Sequence, residues 1–340
     1  MHARALLLAL VVTSLASAVP ARACAPAPPL GATVHIAGEE ALIVWDAASR
    51  TEHFVRRADF STDARDFGFL VPTPSVPTLA EAPEAVFDAL ETLREPEIVR
   101  ENSYVPLTCL TVPFLMMGGA ADEVIATSPA VTVLSTQRVA GMDATVLAAD
   151  DADALAAWLS ERGYAMRPAL VEWLRPYVAA RFAITAFAYA GGESTGSRAV
   201  RMTFATDRPF YPYREPTDQP EQAGRSLRVH LVTTGRQAGR LGDGAWSAEV
   251  EVARALAPDT RLLEGIAALP ERAWVTTFLD RASRRPPEHD LAFTAAATDE
   301  EHVPRIVRTH EVIIPLPIEP ILLVAGIVYL VRRRKARSTS

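Results

Sequence analysis

Apolar residues recur at alternate positions in many short runs of this chain and at helical spacing in three longer ones. Thr33–His35, Ala41–Asp46, Glu52–Arg57 and Asp66–Val71 are β-prone runs separated by Gly, Ala-Ser and Ser-Thr-Asp breaks, which predicts a meander. Pro72, Pro74 and Pro77 each bias the preceding residue away from helix, so residues 71–77 are expected to be extended. Ala82–Leu93 places Val86, Leu90 and Leu93 on one helical face. Tyr104–Ala121 is apolar, proline-interrupted and glycine-ended, and is expected as loop or irregular strand. Val131–Arg138 and Met142–Ala149 are expected to pair around Val139-Ala140-Gly141.

Asp150 or Asp151 can cap a helix that runs to Arg162, with Gly163 as its left-handed terminator and Leu155, Trp158 and Leu159 on its apolar face. Pro168 can open a second helix that turns Leu170, Trp173, Leu174, Tyr177 and Val178 inward; Pro176 is expected to kink or end it. Arg181–Tyr189 and Arg198–Thr206 alternate as a hairpin would, and Arg228–Thr234, Ala248–Ala253 and Trp274–Leu279 add later strands. Strands grouped with helices, without strict βαβ alternation, predict an α+β fold of antiparallel β-sheets with a few packed helices.

The two ends differ from the body. His2 and Arg4 precede an apolar run, Ala5–Val12, and two A-x-A cleavage sites follow, at Ala16-Ser17-Ala18 and Ala21-Arg22-Ala23; the second leaves Cys24 as the first mature residue. At the far end Val312–Val331 carries a single formal charge, Glu319, and three prolines, Pro315, Pro317 and Pro320. Its membrane-anchor candidates are Ile321, Leu322, Leu323, Val324, Ile327, Val328 and Leu330, followed by Arg332, Arg333 and Arg334. Pro320–Val331 alone makes about 18 Å of helix against a hydrocarbon core of roughly 30 Å, so a single span needs the residues before it as well. The basic cluster is expected to stay in the cytoplasm. The expected organisation is a signal peptide at 1–23, an exported body at 24–311 with a subdomain break near 215–226, an anchor at 312–331 and a basic tail at 332–340. Leu316–Pro320 also lies where a sorting signal would, although it departs from the known motifs.

The chain is 49% apolar and 22% charged, which fits a folded body with sizeable cores. Between residues 24 and 311 there are 27 Arg against 40 Asp and Glu, a net charge of −13, which argues against a nucleic-acid partner. Two cysteines, Cys24 and Cys109, follow the signal; in an oxidising compartment they are expected to form a disulfide, and closing so long a loop would contribute about 4–5 kcal/mol.

Four stretches resemble the bacterial family called domain of unknown function 2330. They are Phe67-Gly68-Phe69-Leu70-Val71-Pro72-Thr73-Pro74, Val139-Ala140-Gly141-Met142-Asp143, Leu155-Ala156-Ala157-Trp158-Leu159-Ser160-Glu161-Arg162-Gly163-Tyr164, and Tyr177-Val178 with Phe182. The likeness runs from about Cys24 to Tyr213. It implies an exported bacterial protein and carries over no activity, because the shared motifs are structural in kind.

No cofactor, catalytic residue or metal ligand is assigned. Gly192-Glu193-Ser194-Thr195-Gly196 matches the G-x-S-x-G elbow, but an alternating strand follows where the elbow requires a helix. Glu288-His289-Asp290 and Glu300-Glu301-His302 sit in polar connectors and are expected as solvated loops. Trp158, Trp173, Tyr177 and Phe182 are expected in the core. Arg208-Pro209-Phe210-Tyr211-Pro212-Tyr213-Arg214 is expected as an exposed loop, with Phe210, Tyr211 and Tyr213 as the binding candidates. The expected function is a membrane-anchored binding or scaffold module outside the cytoplasm, contacting an envelope protein or a cell-wall component. The alternative is an envelope hydrolase whose site is assembled only by folding.

Overall fold

The computed structural model describes residues 25–27, 34–62, 66–105, 132–190, 197–219, 221, 223–313 and 326–334. The predicted signal peptide, Cys24, Cys109 and Ile321–Val324 lie outside the described residues. The chain divides into two compact units, Met1–Glu95 with Ala120–Val303, and Pro96–Gly119 with Pro304–Ser340.

In chain order the elements are β1 (Ala25–Ala27), β2 (Val34–Asp46), β3 (Thr51–Thr62), β4 (Asp66–Thr73), β5 (Thr78–Glu81), α1 (Ala85–Arg94), β6 (Glu97–Val105), β7 (Thr132–Val139), β8 (Met142–Ala148), α2 (Ala152–Ser160), α3 (Pro168–Ala179), β9 (Ala183–Ala190), β10 (Val200–Ala205), β11 (Phe210–Tyr211), β12 (Ser226–Thr234), β13 (Gln237–Leu241), β14 (Gly244–Ala245), β15 (Glu249–Ala255), β16 (Ala273–Asp280), β17 (Leu291–Ala295) and β18 (Arg305–Ile313). The fold is α+β, as expected, but its sheets are mixed: β12 runs parallel to β2 and β18 parallel to β6.

The first unit is layered. A seven-stranded sheet, β15-β16-β12-β2-β3-β10-β5, has β2 near its centre, where Ala41, Leu42, Ile43 and Val44 are all buried. Ala41, Ile43, Phe54, Val229 and Leu231 face one core, which the five-stranded sheet β1-β4-β9-β8-β7 closes from the other side with Phe67, Phe69, Met142 and Phe187. Leu42, Val44, Val55 and Val232 face another core, covered by Val86, Phe87 and Leu90 of α1 and by Leu262, Leu263 and Ile266. The outer face of the five-stranded sheet, with Leu70, Leu147 and Ile184, lies under α2 and α3. A four-stranded sheet, β11-β17-β13-β14, adds Leu291 and Phe293 to the first core.

Local predictions hold where the forces are local. β7 and β8 pair from Val139↔Met142, around Ala140 and Gly141, both with positive φ. Asp151 Oδ1 accepts from Ala154 N at 2.7 Å and caps α2, and Gly163 takes φ 95° after its end. All five predicted inward residues of α3 are buried. Pro176 does not end α3, which continues to Ala179. The proline faces solvent and removes one N–H near the C-terminus, while Tyr177 and Val178 hold the last turn on the core. The first helix begins at Ala85, not Ala82; Ala82 N instead donates to Ala199 O beside β5, as Pro83 disfavours helix at Ala82.

Two predicted pairings are corrected. The meander stops after β2 and β3, because β4 joins the other sheet between β1 and β9. The β9 and β10 runs form no hairpin: β9 lies between β4 and β8, and β10 between β3 and β5. β4 and β9 bury side chains on both faces, so each gains most in a sheet interior covered on both sides. Their alternation identifies a strand and leaves its neighbour unspecified.

The motif stretches Phe67–Pro74 and Leu155–Tyr164 share one core through Leu70, Leu155, Leu159 and Tyr164, and approach most tightly at Gly68. Gly68 of β4 lies under the Tyr164 ring, where a Cβ would come within 2.0 Å of Tyr164 Cε1.

The second unit holds a parallel ribbon of β6 and β18, in register from Glu97↔Arg305 to Val105↔Ile313. β6 is unpredicted before Tyr104. Val312 and Ile313, expected to begin the anchor, end β18, and residues 326–334 are helical, so that helix takes in Arg332, Arg333 and Arg334 with Ile327, Val328 and Leu330. Among the described residues no helix is long and apolar enough to cross a membrane.

Candidate functional site

The stretch Arg208–Arg214 is not the exposed loop its prolines suggest. Tyr211 and Tyr213 are 1% and 2% exposed. β11 pairs with β17 through Phe210↔Ala292 and Tyr211↔Leu291, which turns Tyr211 onto Phe54 at 5.8 Å between ring centroids. Tyr213 meets Trp246 at 5.9 Å and donates its hydroxyl to Asp280 Oδ2 at 2.7 Å. Burial, reinforced by the Asp280 carboxylate, pushes the Tyr213 phenol well above its usual range. Three aromatics placed beside an incomplete sheet are worth more buried than exposed. Only Phe210 remains half-buried, and it lines a cleft of about 510 Å³.

That cleft gathers Phe182 just before β9, Thr206–Arg208 and Phe210 before and within β11, Arg214, Arg240 of β13, and His289–Ala292 entering β17. Its organising group is Asp290. Oδ1 accepts from Tyr177 Oη at 2.7 Å, Tyr213 N at 2.9 Å and Arg214 N at 3.1 Å, and Oδ2 stands 2.9 Å from Arg214 Nε. Burial raises the Asp290 carboxyl above its ordinary value in spite of these donors. Arg214 is also held by α3: its Cζ lies 5.3 Å from the Tyr177 ring centroid, and its carbonyl accepts from Trp173 Nε1 at 2.9 Å. Trp173 and Tyr177 are thus core residues whose polar tips set a surface arginine. Asp290 is not in a solvated loop, as its polar neighbours suggest, because its partners come from segments distant in sequence.

Behind Arg214 runs a buried chain of charges. Glu39 pairs with Arg56 Nε at 2.6 Å and Arg285 Nη2 at 3.4 Å, and Glu215 with Arg225 Nη2 at 2.7 Å while accepting from Arg285 N at 3.0 Å. Burial alone would raise the Glu39 carboxyl, but Arg56 and Arg285, with a Tyr211 hydrogen bond, bring it down to about 2. Arg56, Arg285 and Arg225 balance Glu39, Glu215 and Asp280, and a small void of about 10 Å³, room for about one water, lies beside Glu39. A balanced, buried network of this kind joins strands and loops.

A second arrangement looks more like chemistry. Thr277 Oγ1 lies 2.9 Å from His230 Nδ1, and His230 Nε2 lies 2.9 Å from Glu40 Oε1. Burial lowers the His230 pKa against the opposing Glu40 hydrogen bond, and the Glu40 carboxylate, an acceptor, takes its bond from Nε2–H. Burial opposes ionisation of Glu40, but the His230 hydrogen bond and Arg57 hold its carboxyl at about 2. His230 and Thr277 are 0% and 2% exposed, and a nucleophile must meet its substrate; this triplet is a polar pin between β2, β12 and β16. The G-x-S-x-G glycines and Ser194 lie outside the described residues, and among the described residues no group of three His, Cys, Asp or Glu is placed to hold a metal.

Glu52 is a buried carboxyl whose pKa moves up rather than down. It is fully buried between its cross-strand neighbours Trp45 and Phe204, and Oε2 accepts from Phe210 N at 2.8 Å. Burial pushes its carboxyl well above the ordinary 4.5, against the Phe210 hydrogen bond. A raised folded-state pKa contributes stability that is complete below pH 4.5 and is lost as pH rises through the folded value. Glu52→Gln keeps the acceptor for Phe210 and removes the titration. Melting curves across pH are expected to show the variant progressively more stable than the parent toward alkaline pH; a difference constant with pH would refute this.

Fold and cleft together define a multi-sheet α+β protein with a ligand-sized cleft and no assembled catalytic centre among its described residues. The chain belongs to the family called domain of unknown function 2330, described as an uncharacterized protein conserved in bacteria, whose profile matches residues 19–294. The match extends beyond Tyr213, where the motif likeness stopped, and takes in the cleft. No curated protein matches the chain. Among solved structures, baculovirus P35 is similar at 8% identity and a TM-score of 0.37, over 80% of this chain and 100% of that one, a likeness too slight to carry an argument.

Proposed function

We propose that the chain is a membrane-anchored binding module of the bacterial envelope, with its body outside the cytoplasm and the Phe210–Arg214 cleft as its recognition site. The observation that carries the binding reading is Arg214, fixed by Asp290, Tyr177 and Trp173 so that its guanidinium is set in the cleft wall before any ligand arrives. Asp290, the buried carboxyl of the cleft, accepts three hydrogen bonds and is ion-paired with Arg214, so both of its oxygens are already engaged. The export-like start, the apolar residues 312–331 and the Arg332–Arg334 cluster support the topology.

Protease added to intact spheroplasts is expected to digest residues 24–311 and leave a C-terminal fragment in the membrane fraction. Full protection of the body, with external controls degraded and internal controls intact, would overturn the topology.

A further inference from the structure

We infer that the cleft recognises an acidic saccharide of about disaccharide size, its carboxylate held by Arg208 and Arg240 and a sugar face set against Phe182 and Phe210; the inference rests on the binding reading above.

Charge is the first argument. Asp207 is paired with Arg50 at 3.0 Å and Asp290 with Arg214 at 2.9 Å. Arg240 donates only to the Asp243 carbonyl, and Arg208 has no ion-pair partner among the described residues. The cleft therefore carries two cations without carboxylates on a chain whose formal net charge is −7. Two uncompensated cations lining one cleft of an acidic protein raise the local concentration of anions there. Guanidinium groups match the planar, two-oxygen geometry of a carboxylate.

Shape supplies the second. Phe182 and Phe210 pack edge to face at 5.6 Å and give the cleft an apolar wall, extended by Pro74. Thr206, Thr294 and His289 line the same space and can exchange hydrogen bonds with hydroxyls. A volume of about 510 Å³ suits a compact ligand.

Strand pairing disfavours an acidic peptide. β17 is flanked by β11 and β13, so it offers no free edge, and the two-residue edge strand β11 has already given Phe210 N to Glu52. An extended peptide needs such an edge for its main-chain bonds.

The test is calorimetric titration of the full chain in detergent with a di-uronic acid, its neutral disaccharide counterpart, a di-aspartate peptide and inorganic phosphate. The di-uronic acid is expected to bind, with the neutral sugar at least about tenfold weaker and the affinity falling with salt. Arg240→Gln and, separately, Phe210→Ala are expected to weaken it by about tenfold each, with circular dichroism unchanged because Arg240 and Phe210 are only partly buried. Equal affinity for the neutral sugar, binding of the peptide or phosphate but not the uronide, or uronide affinity indifferent to Arg240→Gln would each overturn the inference. These outcomes are independent of the spheroplast result, so ligand class and topology fail separately.

Discussion

Glu39→Ala is expected to lower the unfolding free energy by about 3–5 kcal/mol, because it leaves Arg56 and Arg285 buried without their shared counter-charge. Arg56 and Arg285 are 5% and 3% exposed, so water does not readily replace the lost carboxylate. The pH dependence gives the same scale. A carboxyl lowered from 4.5 to about 2 on folding contributes about 3 kcal/mol that is present above pH 4.5 and lost as pH falls toward 2. Denaturant unfolding at neutral pH measures the first quantity, and an acid limb flattened in the variant checks the second. A loss below about 1 kcal/mol would mean that the buried chain relaxes or admits water, and the network would then be no clasp.

Gly68→Ala is expected to cost about 3 kcal/mol or more, because the added methyl would overlap the Tyr164 ring at 2.0 Å and both groups are enclosed. Tyr164→Ala alone is expected to cost about 3–5 kcal/mol by opening a cavity between β4 and the turn after α2. The decisive measurement is the double variant. On the Tyr164→Ala background, Gly68→Ala should cost less than about 1 kcal/mol, since the methyl then has room and alanine is no worse than glycine in a strand. Additive costs would show that the two positions do not meet.

Several elements were readable from residue order alone, and all depend on near neighbours. The β7–β8 hairpin follows from two alternating runs around Ala140-Gly141, the Asp151 cap from a short acceptor beside free helix N–H groups, and the α3 face from apolar residues at helical spacing. Each is decided by groups within a turn or two. The glutamates and arginines of the buried chain gave no such signal, since Arg285 reaches Glu39 across 246 positions. The same holds for the cleft: Phe210 stands between two arginines in the sequence and Phe182 reads there as a core aromatic, whereas nothing in residue order points to Arg240 or to the role of Asp290.

Residue order therefore settled the class of fold, the faces of the helices, the acidic balance of the body and the chemical character of both ends. It left open which strand lies beside which, because alternation is the same whichever neighbour a strand takes, and β4, β9 and β10 found theirs by where both faces could be covered. It also left open that Tyr211 and Tyr213 are interior, since burial is a property of what packs above a residue and not of its own side chain. Folding alone set Arg208, Arg214 and Arg240 around one opening and supplied carboxylates to only one of them, and that imbalance is what gives the cleft its sign.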